Sequence, residues 1–134
     1  MQRVAKPGGI LACWGYKRPS VTPEIDAVVQ RLDEEVLRDY WLPETRLAVE
    51  GYRTIPFSFD EIETPPFRMT HDLNLERLKG FLGTWSASIG YCTQTGQAPM
   101  DEIRDELTAT WRNPLGKRRI AWDLFMRVGR ISDG

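Results

Sequence analysis

Histidine and cysteine are scarce in this chain: one histidine, His71, and two cysteines, Cys13 and Cys92, in 134 residues. That set provides neither a disulfide framework nor the ligands of a metal centre, and a Cys–His nucleophile pair has no support. Long hydrophobic runs are absent as well. The longest, Ile10 to Tyr16, covers about seven residues and contains a glycine, whereas a membrane helix needs roughly 20. Arg3 and Lys6 ahead of that run imitate a signal peptide. However, Lys17-Arg18 follow at once and no small-residue cleavage site appears. Nor is there an excess of either charge: 18 Lys and Arg stand against 19 Asp and Glu, a net of -1. Nothing therefore pulls the whole chain toward nucleic acid or an anionic membrane. With so few cysteines, a reducing cytoplasm is the expected setting. Repeats and low-complexity segments are missing too.

What is present is ordinary globular material, 41% hydrophobic, 28% charged and 10% aromatic. This is enough for a core and sets a single domain, 1–134, as the expectation. Met1 to Lys6 reads as the last turn of a helix, stopped by Pro7-Gly8-Gly9. Ile10 to Tyr16 follows without polar alternation, which predicts a strand covered on both faces, of the parallel-sheet type. Thr22-Pro23 is a helix start, with apolar residues at helical spacing from Ile25 to Leu37. Pro43 opens a short helix that Gly51 ends, and Tyr52 to Phe59 is an aromatic loop.

Asp60 to Thr70 reads as a strand, yet it contains Pro65-Pro66. Proline cannot donate to a ladder, so this strand must lie at an edge or be bulged. Leu75 to Trp85 marks a helix with Asp72 or Asn74 as cap. A second runs from Ser86 to Thr95, ended by Gly96, and a third carries Met100, Ile103, Leu107 and Trp111. Arg119 to Ile131 is apolar on both sides and should be a central strand. Three strands with intervening helices make a fragment of an α/β layer fold.

The string Arg3-Val4-Ala5-Lys6-Pro7-Gly8-Gly9-Ile10-Leu11-Ala12 resembles the R-V-L-K-P-G-G-x-L-x segment of class I S-adenosylmethionine-dependent methyltransferases. There it joins the fourth crossover helix to the fifth strand. Gly51 through Phe57, Asn74-Leu75 through Phe81-Leu82, and Thr84-Trp85-Ser86 look like the type 11, trans-aconitate methyltransferase-like branch. The resemblance implies an α/β fold, a partial Rossmann-like methyltransferase sheet. It would hold the fifth, sixth and seventh strands, the last antiparallel and inserted between the other two. Helical insertions would form a substrate lid. S-adenosylmethionine is the implied cofactor. That family holds it with a glycine-rich turn after the first strand, and this chain has no G-x-G-x-x-G. The resemblance thus implies a C-terminal, acceptor-binding half, with the cofactor-binding half absent and the first strand's edge open to self-association.

Methyl transfer from an activated sulfonium needs little acid–base help, so the protein's task is to orient a nucleophile and exclude water. Pocket aromatics and a few polar anchors are what to look for. Trp14 and Tyr16 lie at the carboxyl end of the first strand, where open α/β sheets bind ligands. Trp85 and Tyr91 lie on the expected insertion helices and serve equally as core residues. His71, at the end of the edge strand, is the candidate base or acceptor ligand, or else braces the next helix. Arg53 and Arg68 have the fork geometry to clamp a carboxylate. Lys117-Arg118-Arg119 is too short a cluster to point to nucleic acid. Cys13 reads as a small hydrophobe. Two function classes remain open: the acceptor half of a small-molecule methyltransferase acting on, for instance, a carboxylate, and a non-enzymatic binding or oligomerisation module.

Overall fold

The computed structural model describes residues 5–132. In chain order the elements are β1 (Ile10–Tyr16), α1 (Pro23–Arg31), α2 (Thr45–Val49), β2 (Asp60–Ile62), β3 (Phe67–Leu73), α3 (Leu75–Gly83), α4 (Ser86–Thr95), α5 (Arg104–Trp111) and β4 (Arg118–Arg130). A π-helical turn, Leu32–Val36, prolongs α1, and 3-10 turns occupy Arg38–Tyr40 and Pro99–Glu102. Most of the helical turn expected at Met1 to Lys6 lies outside the described residues, and Ala5 and Lys6 are not helical. The described residues form two compact units. A sheet unit takes residues 5–18, 43–69 and 122–132, and a helical unit takes 19–42 and 70–121.

In the sheet unit β4 is the central strand. It pairs antiparallel with β1, Ile10 opposite Arg130 through Tyr16 opposite Leu124. Antiparallel pairing with β2 places Asp60 opposite the same Arg130, so both of its edges are in use. β3 also pairs with β4. The expected strand across Asp60 to Thr70 is thus two strands, and the sheet has four strands where three were expected. The physical reason is Pro65-Pro66: two residues without N–H groups cannot continue a ladder, so the chain leaves the sheet and re-enters it at Phe67. β3 is exposed up to Thr70 and beyond to Asp72, with Leu73 buried, as suits an edge strand.

β1 departs from its expected burial. Its residues alternate exposed and half-buried, with Trp14 60% exposed and Ile10 54%. The apolar run therefore reflects no covering layer on that face among the described residues, and its registered partner is antiparallel. On the other face glycines admit aromatic rings. Gly15 faces Phe125 so closely that any Cβ would overlap the ring. A Cβ on Gly129 would stand 2.6 Å from Cε1 of Phe57 and 2.7 Å from Cβ of Phe59.

The helical unit holds most of the buried apolar side chains. Thr22 caps α1 by accepting from the Ile25 N–H at 3.4 Å, with Pro23 in the first turn. Ile25, Val28 and Val29 form its buried stripe. The packing partner is α5, through Leu107 and Trp111. Asn74, and not Asp72, caps α3, accepting from the Arg77 N–H at 3.0 Å. Asp72 is engaged elsewhere, by Arg119 at 2.8 Å. Gly96 ends α4 in the left-handed conformation at φ 72°, where a Cβ would be strained.

Candidate functional site

Within the sheet unit the described residues build an open cavity that begins where α2 stops. Gly51 at φ 66° and Tyr52 at φ 59° are both left-handed. Glycine adopts that region freely and tyrosine rarely does. Two hydrogen bonds hold the reversal, Gly51 N–H to Ala48 O at 2.9 Å and Tyr52 N–H to Leu47 O at 2.8 Å. Gly51 then rests against the Phe125 side chain, and the Tyr52 ring meets Phe125 edge-on with centroids 5.2 Å apart.

Arg127 fixes the loop that follows. Its guanidinium donates to the carbonyls of Tyr52 at 2.8 Å and Ile55 at 2.9 Å, and it lies 4.4 Å from the centre of the Phe57 ring. It also grips Glu61. The cavity has a volume of about 770 Å³, and its lining includes Lys17, Glu50, Arg53, Glu61, Phe125 and Arg127. Arg53 and Lys17 carry the positive charge not already tied to Glu61. Glu50 adds a carboxylate beside these cations, and the mainly polar lining suits a small polar molecule.

Of the residues expected at a site, Arg53 lines this cavity; Trp14 and Tyr16 belong to the same unit but do not. Both stand on the alternate face of β1 from Gly15, which faces Phe125. The other three candidates lie in the helical unit. His71 is exposed on β3 beside Asp72. Trp85 precedes α4 and packs against Trp41, centroids 5.6 Å apart, and Phe81, 6.4 Å apart. Tyr91 is buried, edge-on to Tyr40 at 5.0 Å, and its hydroxyl donates to Glu102 at 3.4 Å. Burial and the neighbouring Glu102 carboxylate push its phenol pKa upward.

Arg68 is bonded to Asp123 at 2.7 Å. In the basic cluster, Arg119 holds Asp72, and Arg118 donates to Trp111 O at 2.9 Å while lying over the Trp111 ring. Cys13 is half-buried. Lys17 and Arg127 were not singled out from the sequence. Lys17 entered the sequence reading only, with Arg18, as a charge against a signal peptide, and Arg127 is one polar residue in an apolar strand whose partner lies 66 residues away.

The cofactor implied by the family resemblance does not fit the described residues on their own. A glycine-rich turn between a strand and a helix is needed for main-chain N–H groups to approach it. β1 leads into α1 through Lys17 to Thr22, a glycine-free segment whose Val21 N–H and Thr22 hydroxyl already serve the helix start. The left-handed glycines stand elsewhere, Gly8 before β1, Gly51 after α2 and Gly96 after α4. No group of three or more His, Cys, Asp or Glu able to hold a metal occurs among the described residues. No described helix is long and apolar enough to cross a membrane.

The chain matches no protein-family model. It is 20% identical over 122 residues to a Dictyostelium discoideum protein named "Putative methyltransferase", covering 89% of this chain and 46% of that protein. A solved structure described as "a Putative Type II Methyltransferase from Anaeromyxobacter dehalogenans" superposes with a TM-score of 0.89. That protein is 40% identical, and the match covers 98% of this chain and 56% of its own. The chain thus spans about half the length of each of these two proteins. Its mixed α/β fold, with helices and an antiparallel sheet, is the fold of the corresponding part of a protein described as a methyltransferase.

Proposed function

We propose that this chain is the acceptor-side part of an S-adenosylmethionine-dependent methyltransferase acting on a small molecule that carries a carboxylate. The single observation behind the reading is the superposition, at a TM-score of 0.89 and 40% identity, of nearly the whole chain on about half of a protein described as a methyltransferase. A second support is β4, antiparallel to β1 and lying between β1 and the edge strands. This is the order the family resemblance implies for its last three strands. The matched relatives contain about as much chain again, and the cofactor is assigned to that portion because the described residues do not fit it.

In this reading Arg53 and Lys17 bind and orient the acceptor's anionic group, and Phe125 covers its body. S-adenosylmethionine supplies an activated methyl group when bound. The residues of this chain hold the nucleophile in place and keep water out.

The test joins this chain to the unmatched part of the Anaeromyxobacter protein and follows tritiated methyl groups from S-adenosylmethionine onto a panel of small carboxylic acids and their amides. Transfer to an acid by the hybrid is expected, together with no saturable calorimetric binding of S-adenosylmethionine to the chain alone. A hybrid that folds and binds S-adenosylmethionine but methylates nothing that the whole relative methylates overturns the reading. Micromolar binding by the chain alone overturns its division of labour.

A further inference from the structure

β3 has β4 as its one strand partner among the described residues. Two ion pairs fix how it lies there. Arg68 meets Asp123 at 2.7 Å, and Asp72 meets Arg119 at 2.8 Å. The partner's number falls as the β3 number rises, so the strands are antiparallel, with Met69 opposite Trp122 and His71 opposite Ile120. Ala121 exchanges both main-chain hydrogen bonds with Ser20, and Asp123 O accepts from Lys17 N–H. Those two residues face the β1 side of β4, so β3 pairs on the other side, with Ile120 and Trp122. Met69 and His71 therefore aim at β4, and Arg68, Thr70 and Asp72 aim their N–H and C=O groups outward. In the strand order that the family resemblance implies, this side is the sheet's own edge, and strands added beyond β1 leave it open.

We infer that the β3 edge pairs with the same edge of a second copy of the chain, antiparallel about a two-fold axis at Thr70. In that register Thr70 faces Thr70 of the other copy, and Arg68 faces Asp72. The parity agrees, since all three residues aim their main-chain groups outward and so form hydrogen-bonded pairs. Met69 opposite His71 is the non-hydrogen-bonded pair between them.

Charge selects this register. Residues directly opposite in an antiparallel ladder share a face. One row across the junction therefore runs Asp123, Arg68, then Asp72 and Arg119 of the other copy, alternating in sign throughout. Charges on an edge strand ordinarily keep other strands away; here each meets its opposite. Moving the axis to Met69 sets Asp72 against Pro66, which has no N–H, and moving it to His71 sets Arg68 against the uncharged Asn74. Axes at Arg68 or Asp72 oppose like charges. On the other face the exposed side chains of Phe67 and Met69 are covered by Leu73 and His71 of the other copy. This inference rests on the β3–β4 pairing and not on the methyltransferase reading.

The experiment uses the 134-residue chain. Sedimentation across a concentration series is expected to show a dimer that dissociates on dilution. The amides of Arg68, Thr70 and Asp72 are expected to exchange more slowly in the dimer than in the diluted monomer, while those of Met69 and His71 stay protected in both. Thr70→Pro removes the outward N–H at the axis from each copy and leaves the β3–β4 ladder intact. It is expected to weaken the dimer about tenfold or more.

Thr70→Lys and Thr70→Glu change an exposed position and provide the same check if the proline variant fails to fold. Each alone opposes like charges at the axis and is expected to sediment as a monomer where the parent chain is a dimer. An equimolar mixture of the two is expected to restore the dimer, now of unlike chains. A parent chain that is a monomer at every concentration overturns the proposal. A dimer that neither charged variant weakens places the contact on another surface and overturns it too. So does a mixture that stays monomeric.

Discussion

Arg127 holds Glu61 with two parallel hydrogen bonds, Nε to Oε1 at 2.9 Å and Nη2 to Oε2 at 3.0 Å. The remaining nitrogen, Nη1, donates to the carbonyls of Tyr52 and Ile55. One side chain, 14% exposed, thereby ties β4, β2 and the loop after α2 together. Bidentate geometry is what a guanidinium provides and an ammonium does not. Arg127→Lys is therefore expected to lower the thermal midpoint nearly as much as Arg127→Ala, with the loss of order read as faster amide exchange across 52–59. Full retention by the lysine variant would show that charge alone suffices.

Acid should loosen the fold through the three carboxylates that arginines hold, beside Glu24, whose pKa is lowered by backbone and Thr22 hydrogen bonds. Arg127 lowers the pKa of Glu61 by hydrogen bonding, Arg119 does the same to Asp72, and Arg68 to Asp123. Each folded pKa lies below its unfolded value, so the unfolded chain takes up protons first. Their stabilisation is complete above the ordinary carboxylate values of 4.5 for Glu61 and 3.8 for the aspartates, and it is lost as pH falls through the lower folded values. Denaturant midpoints are expected to be flat near neutrality and to fall below about pH 4. Because all three carboxylates lie at exposed positions, salt should shrink the fall. Arg119→Ala should remove its share of the acid slope.

The glycines divide into two kinds that a stability series will separate. Gly129→Ala drives a methyl group into Phe57 and Phe59 and should cost about 1–3 kcal/mol through overpacking. Gly80, inside α3, has nothing within 4 Å of a built Cβ. Gly80→Ala should stabilise by about 0.5–1 kcal/mol, because alanine loses less backbone entropy in a helix. Equal effects from the two would contradict the packing described.

Helix caps offer a graded comparison. Asn74 accepts from Arg77 N–H at 3.0 Å, and Thr22 accepts from Ile25 N–H at 3.4 Å. Alanine at either position should cost about 1 kcal/mol in urea unfolding, with the larger loss at Asn74.

Tyr91 should ionise above the ordinary phenol range in a titration followed by ultraviolet absorbance, since burial and the Glu102 carboxylate both oppose its ionisation. Its folded pKa is raised, so its contribution holds below the unfolded value and is lost as pH rises through the folded one. Tyr91→Phe should remove that late step.

Helices were legible wherever local chemistry decides. Thr22-Pro23, Asn74 and Gly96 are start and stop signals that act within a few residues, and α1, α3 and α4 begin or end at them. Pro65-Pro66 was legible as an obstacle to pairing, though not as a break, because proline forbids a hydrogen bond without stating where the chain goes next. The candidate site was legible only in part. Arg53 lines the cavity, but Tyr91 and Trp85 sit among aromatic neighbours, a role that spacing alone does not separate from a pocket wall.

What the sequence by itself determined about this protein is local: helix limits, the obstacle that Pro65-Pro66 sets to strand pairing, and the central place of an apolar β4. Tertiary structure decided what depends on distant partners. Arg127 meets Glu61 across 66 residues, and Arg68 meets Asp123 across 55. Two glycines, Gly15 and Gly129, prove to be places for phenylalanine rings. The apolar run of β1 read as buried, yet its outer face stands open. Hydrophobicity records what a residue would gain by being covered; which surface covers it is settled only by the rest of the fold.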